Sequence, residues 1–185
     1  MKILSLHCDY IKFKPLKKAL KNAEALPEEE KEEKVIKEAL VILIAVEKTD
    51  THIKDSAEKL VENIKDLAKQ VQAKNIVIYP YAHLSSNLSS PDIAVTILKE
   101  AEKILKESKG YNVTRAPFGY YKEFELKVKG HPLSELSREI KLEKEKEETY
   151  DYQQLLREIS KMKLDTSKLK DNDHRIIGQQ MDLFS

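Results

Sequence analysis

The chain has 185 residues, 41% hydrophobic and 35% charged, with a net charge of +1. That length supports one core plus an extension, and the near-neutral charge excludes a general attraction to polyanions, so any nucleic-acid contact must come from local patches. A single cysteine, Cys8, excludes an internal disulfide and a cysteine-based metal site, as suits a reducing cytosol; the first residues lack the apolar core of a signal peptide, and the longest apolar run, Ala39 to Val46, is too short to span a bilayer.

Lys2 to Cys8 reads as a strand, with Leu4 and Leu6 on one face and Ile3, Ser5 and His7 on the other. Tyr10 to Lys14 reads as a second strand, with Cys8-Asp9 as the turn between them. Lysines at 12, 14, 17, 18 and 21 make a basic run, either solvated or set against phosphates. The acidic stretch Pro27 to Glu38 predicts a loop and a short helix, facing solvent and away from any bound RNA. Ala39 to Val46 then reads as a central strand buried on both faces.

Ala57, Leu60, Val61, Ile64, Leu67, Ala68 and Val71 follow the spacing of one buried helical face and predict a helix over 54–72, capped by Thr51 or Asp55. Ile76 to Tyr79 is a short buried strand stopped by Pro80. A polar loop carrying His83 follows. Ser90-Pro91 signals the next helix, a hydroxyl cap before proline at the first helical position, and Gly110 suits its end. Two strand–helix–strand units in succession favour parallel neighbours. The fold class expected is α/β with mixed α+β character: a mixed sheet packed by at least two helices.

Glycines 119 and 130 and prolines 117 and 132 punctuate the next stretch. Between them, Tyr121 to Val128 alternates like a half-buried strand. Lys122, Phe124, Leu126 and Val128 share one face, which puts a lysine at the head of an apolar row. Burying an ammonium with no partner is costly, because its hydration is lost and nothing replaces it. Either Lys122 snorkels to water at the strand's edge, or it stands in a cleft facing a substrate with an acidic partner, for which Glu135 is the nearest candidate. Beyond residue 140, Lys141 to Glu148 has no inward face and marks a boundary between a domain at 1–140 and an extension at 141–185; residues 152–159 read as a helix and 165–172 as a linker.

Chemistry is expected beyond the carboxyl ends of the strands, where His83 falls. Ser85 and Ser86 lack the flanking glycines of a nucleophile elbow. His7, His83 and His131 match no metal-ligand spacing, and a phosphate-cradling glycine loop is absent. The remaining polar set, His83, Lys122, Glu135, Tyr120 and Tyr121, could orient a water and stabilise negative charge developing on a carbonyl. The residues alone do not choose between that and a binding module.

Four ordered motifs resemble a known family: His7-Cys8-Asp9-Tyr10, Tyr79-Pro80-Tyr81-Ala82-His83-Leu84-Ser85-Ser86, Ala116-Pro117-Phe118-Gly119-Tyr120-Tyr121-Lys122 and Gly130-His131-Pro132-Leu133-Ser134-Glu135. They are similar to the N-terminal editing domain of archaeal threonyl-tRNA synthetase, over roughly residues 1–140. The resemblance implies a D-aminoacyl-tRNA deacylase-like fold, and the tail from Asp173 resembles the opening of the synthetase catalytic module. It implies hydrolysis of serine from threonine tRNA in the cytoplasm, with the acceptor end of that tRNA as partner, a homodimer as a possible assembly, and no membrane association. Editing needs no cofactor or metal; ATP, magnesium and zinc belong to the synthetase module, most of which is missing here. Water is the nucleophile, assisted by the ribose 2′-hydroxyl of the tRNA.

By the same resemblance Lys122 is the main catalytic side chain, Glu135 positions it, and His83 and Tyr121 line the site near the ribose and ester. Backbone around Val46, Pro80 and Ala82 holds the seryl group, and Phe118 and Tyr120 shape the pocket. Cys8 stands where relatives often have serine. Two other readings stay open: a D-aminoacyl-tRNA deacylase, and a tRNA-binding module without turnover.

Overall fold

The apolar run 39–46 lies at the centre of a six-stranded mixed sheet in a computed structural model that describes residues 1–142. In chain order the elements are β1 (Lys2–Lys18), α1 (Glu28–Lys31), β2 (Lys34–Ala45), α2 (Ile53–Val71), β3 (Asn75–Pro80), α3 (Pro91–Glu107), β4 (Asn112–Arg115), β5 (Tyr120–Val128) and β6 (Glu135–Glu139). The sheet order is β4-β3-β2-β1-β5, and β6 pairs with the first residues of β1. The expected helix at 152–159, the linker at 165–172 and the tail from Asp173 lie outside the described residues.

The two strand–helix–strand units form as expected: β2 and β3 pair in parallel, as do β3 and β4, with α2 and α3 as the crossovers. Leu40, Ile42 and Ile44 of β2 and Ile76 and Ile78 of β3 point to one face, where α2 lays Leu60, Ile64 and Leu67 and α3 lays Ile97, Leu98 and Leu105. Ser90 caps α3, its Oγ accepting from Ile93 N at 3.4 Å. Neither Thr51 nor Asp55 caps α2. His52 occupies that position without a side-chain bond.

The N-terminal hairpin is not formed. β1 is one strand of 17 residues, antiparallel to β2 on one side and to β5 and β6 on the other. What the sequence presents as a turn at Cys8-Asp9 is an irregularity between Cys8 and Tyr10 in the pairing with β5. An extra residue there changes parity, so that Leu6 and Cys8 before it and Ile11 and Phe13 after it face the same side. That lets a long strand with two inconsistent alternations keep a single apolar face.

This second face, opposite the helices, closes by curling of the sheet itself. Tyr79 of β3 and Phe124 of β5 are separated by β2 and β1, about 14 Å across a flat sheet at the usual strand spacing. Their ring centres are 5.5 Å apart. Phe13 packs edge-on to Tyr79 between them, at 5.9 Å. The curl leaves a hollow at the carboxyl ends of β2 and β3.

Candidate active site

Because β2 and β3 run parallel, both deliver their carboxyl ends to the same rim of the sheet. After β3 the chain is pinned by Tyr81 N donating to Ile44 O at 2.8 Å, then makes one 3-10 turn, Ala82–Leu84, that presents His83. The rest of the loop is fastened at Val46, whose carbonyl accepts from Ser89 N at 3.0 Å. Buried Glu47 accepts from the Ser85 hydroxyl and also pairs with the Met1 amino group at 3.5 Å. Ser85 is thereby committed to holding the loop rather than to nucleophilic work.

The opposing wall is the connection from β4 to β5. Ala116 N donates to Ile78 O at 2.9 Å, which seats the connection over β3. Gly119 turns it with φ +76°, a left-handed conformation that side chains disfavour. Its carbonyl accepts from Ala19 and Leu20 N at 2.8 and 3.1 Å, and the Tyr120 hydroxyl donates to Glu24 O at 2.7 Å. Phe118 and Tyr120 are thus fixed on one side and Tyr121 and Lys122 enter on β5.

Between these walls is a cavity of about 490 Å³. Val46, Pro80, Ala82, His83, Phe118, Tyr120, Tyr121 and Lys122 all line it. Two motifs separated by 29 residues therefore meet around one hollow. Its floor is apolar: Tyr79, which opens the second motif, contributes to it together with Leu88, Ala94 and Leu98, which no motif contains. Tyr79 alone carries a readable signal, as the last side chain of a buried strand directly before the His83 loop.

Lys122 stands on an edge strand but its amine turns inward. Nζ donates to the carbonyls of Pro117 at 3.0 Å and Tyr120 at 3.2 Å and lies 5.1 Å from the centre of the Tyr79 ring. It forms no ion pair among the described residues. Burial alone pulls its pKa down to about 8. The lining carries no carboxylate and no cysteine. Among the described residues Lys122 is therefore the one fixed positive charge lining the hollow, with the His83 imidazole on the opposite wall.

Glu135 is not the partner of Lys122 within this chain. It opens β6, opposite Leu6 of β1, whereas Lys122 is opposite Pro15. Nine positions of strand separate those two partners, roughly 30 Å at the usual rise. Closeness in sequence misleads here because the Gly130–Ser134 loop carries the chain along β1 instead of folding it back on β5.

The first and fourth motifs meet each other instead. His7 Nδ1 and His131 Nε2 are 2.8 Å apart, His7 N donates to Ser134 O, and Lys129 pairs with Asp9 at 2.6 Å. Cys8 is fully buried beneath them, and burial pushes its thiol up to about 11. His83 stays in the cavity, so His7, His83 and His131 are not assembled as a ligand set.

Residues 1–140 match the family model described as the archaea-specific editing domain of threonyl-tRNA synthetase. The chain belongs to that editing-domain family. It is 52% identical over 141 residues to a threonine–tRNA ligase of Thermococcus onnurineus, covering 76% of this chain and 22% of the relative. It is 51% identical over 149 residues to those of Pyrococcus horikoshii and Methanocaldococcus jannaschii, covering 80% of this chain and 24% and 23% of the relatives. The chain therefore spans about a quarter of the length of these relatives. Among solved structures, the c-Myc DNA Unwinding Element Binding Protein superposes with a TM-score of 0.55 at 12% identity, covering 77% of this chain and all of that one. That likeness concerns the fold alone. The editing domain has the expected mixed α/β architecture, a mixed sheet packed by helices.

Proposed function

We propose that the editing domain hydrolyses the ester bond of seryl-tRNA(Thr), with water as nucleophile. The observation that carries this reading is the inward Lys122 amine in a hollow that His83 also lines and to which no carboxylate or cysteine contributes. Water adds to the ester carbonyl carbon, the carbonyl oxygen becomes an oxyanion, and the ribose oxygen leaves with a proton as serine is released. Lys122 in its ammonium form offers positive charge where that oxyanion develops. His83 and Tyr121 hold the ribose, whose 2′-hydroxyl helps to activate the water. Phe118 and Tyr120 close the apolar side, and backbone around Val46, Pro80 and Ala82 holds the seryl group.

The need for such a site is energetic. One methyl separates threonine from serine, and a pocket gains only ~1–3 kcal/mol from it. Hydrolysis of the mischarged product supplies the rest, in the cytoplasm where aminoacyl-tRNA is made. Residues 1–140 would act as the editing unit, with 141–185 leading into a catalytic module. Any role for Glu135 at Lys122 requires a second copy of the chain, because its own β6 is too distant; a homodimer is proposed on that ground.

The test is release of serine from mischarged threonine tRNA, comparing L- and D-seryl esters, with Lys122→Met alongside. Loss of the L-seryl activity by roughly 10²-fold or more is expected in that variant, in the range of losing one oxyanion-stabilising donor. An unchanged rate rejects the role of Lys122, and tRNA binding without turnover in the wild type rejects hydrolysis.

A further inference from the structure

The basic run of β1 has no part in the cavity chemistry, yet it ends at the cavity's rim. Residues 10–23 contain five lysines and no acid, and Ala19 and Leu20, directly after the strand, line the hollow. Two of the lysines are engaged: Lys12 pairs with Glu125 at 3.3 Å, and Lys18 Nζ donates to Ala23 O at 2.7 Å. Lys14 is opposite Glu123 in the strand register but forms no ion pair with it, and Lys17 has no carboxylate partner among the described residues. Lys17 Nζ instead lies over the ring of Tyr121, 5.7 Å from its centre, and that ring lines the cavity and is 56% exposed.

The other side of the rim is electrostatically different. A neighbouring cavity of about 710 Å³ shares Leu20, Pro91 and Phe118 with the first. Its lining includes Glu24, Glu30 and Asp92 beside Lys21, Lys99 and Arg115, and two of those cations are already paired, Lys99 with Glu24 and Arg115 with Glu102. The acidic helix α1 thus reaches this side through Glu30, instead of lying clear of the site. A polyanion approaching the hollow meets cancelled charge here. On the other side it meets, among the described residues, Lys17 without a carboxylate partner and Lys14 balanced only by the unpaired Glu123 opposite it.

We infer that Lys14 and Lys17 contact the phosphates of the tRNA acceptor stem and set the side from which its 3′ strand enters the cavity. This rests on the functional reading above for the identity of the RNA. Lys17 does so beside an exposed aromatic ring, the pairing of cation and stacking platform that suits a single strand leaving a duplex. Each neutralised phosphate releases counterions, so each contact contributes to the salt dependence of binding. Lys21, among the acids of the neighbouring cavity, contributes little.

The experiment measures the dissociation constant of uncharged threonine tRNA, and of an RNA hairpin reproducing its acceptor stem and 3′ single strand, across a salt series. Lys14→Gln, Lys17→Gln, their double variant, Lys17→Arg and Lys21→Gln are compared with the wild type. Expected is a fall of about 0.7–0.9 in the log–log salt slope for each of Lys14→Gln and Lys17→Gln, roughly additive in the double variant, on both RNAs. Lys17→Arg keeps the slope because it keeps the charge. A double variant with the wild-type slope, an equal fall in Lys21→Gln, or no binding of either RNA by the wild type overturns the inference. Failure of serine release with salt-dependent binding intact would sink the hydrolytic reading while leaving this surface standing.

Discussion

Lys122 and Tyr79 meet ammonium to ring face across the curl of the sheet, Nζ 5.1 Å from the ring centre. The contact gives a buried cation some electrostatic relief without an anion. Tyr79 cannot become that anion, since burial pushes its hydroxyl above the ordinary phenol range. The carbonyls of Pro117 and Tyr120 supply the remaining acceptors. An amine held this way is charged at neutral pH but loses its proton near pH 8, close to the working range.

A pH signature follows for catalysis. With the ammonium stabilising an oxyanion, the ratio of wild-type to Lys122→Met hydrolysis rates should be flat below about pH 8 and fall towards one above it. Using the ratio cancels the rise of background hydroxide attack. Rates measured from neutral to alkaline pH check this; a ratio that climbs through the same interval would instead make the neutral amine a base acting on water.

The same amine strains the fold. Its pKa is about 8 in the folded chain and near the ordinary lysine value of 10.5 when unfolded. Below pH 8 both states are protonated and the folded one carries the full cost of a buried charge. Between the two values the unfolded state binds more protons, so stability rises with pH. Lys122→Met should therefore stabilise the domain by about 1–3 kcal/mol at neutral pH, and the gain should shrink as pH rises from about 8 to 10.5. Urea unfolding at neutral pH and near pH 10.5 measures both.

A second pH effect resides away from the cavity. Leu133 N donates to His131 Nδ1 at 3.3 Å, so the proton of neutral His131 sits on Nε2 and points at His7 Nδ1. Protonating His7 sets its Nδ1–H against that Nε2–H. Burial first, then the positive charges of His131 and Lys129, hold the His7 pKa below 6.5, against the opposing pull of Glu38 and Asp9. As pH falls through 6.5 the unfolded state takes up protons before the folded one, and stability drops. Unfolding on either side of that pH should show the step, and His131→Gln should reduce it without abolishing it, because burial is the larger cause. Amide exchange of His7 and Lys129, which bond to Ser134 O and His7 O, should quicken in the same interval.

Periodicity makes the centre of the fold legible. The unbroken run 39–46 and the helical spacing from Ala57 to Leu67 each admit one burial pattern, and parallel pairing follows from the crossovers. The edges are less legible. A bulge and a turn look alike at Cys8-Asp9, because both interrupt alternation, and only pairing with β5 distinguishes them. At the site, the family resemblance names eight residues that line the cavity, seven of them inside the motifs, but cannot say which motifs share a hollow. Chain proximity pairs Glu135 with Lys122, whereas strand register sets their separation.

Gly119 is where backbone geometry and cavity shape are coupled most tightly. At φ +76° any side chain is strained, and a Cβ would fall 2.9 Å from that of Ala23 and 3.4 Å from Leu20 Cδ1. Both neighbours belong to the segment that Gly119 O fastens through Ala19 and Leu20, so relief of the clash must move the segment or the turn. Moving the turn moves Phe118 and the Pro117 and Tyr120 carbonyls that hold Lys122. Gly119→Ala is expected to cost roughly 1–3 kcal/mol and to reduce serine release beyond what the unfolded fraction explains. Gly110 provides the comparison: it also has positive φ, at +101°, but open space around it and no place in the site. Gly110→Ala should lower stability while leaving the rate per folded molecule unchanged. Denaturation midpoints and single-turnover rates on the two variants separate strain from site displacement; equal rates per folded molecule would mean that the turn does not position the amine.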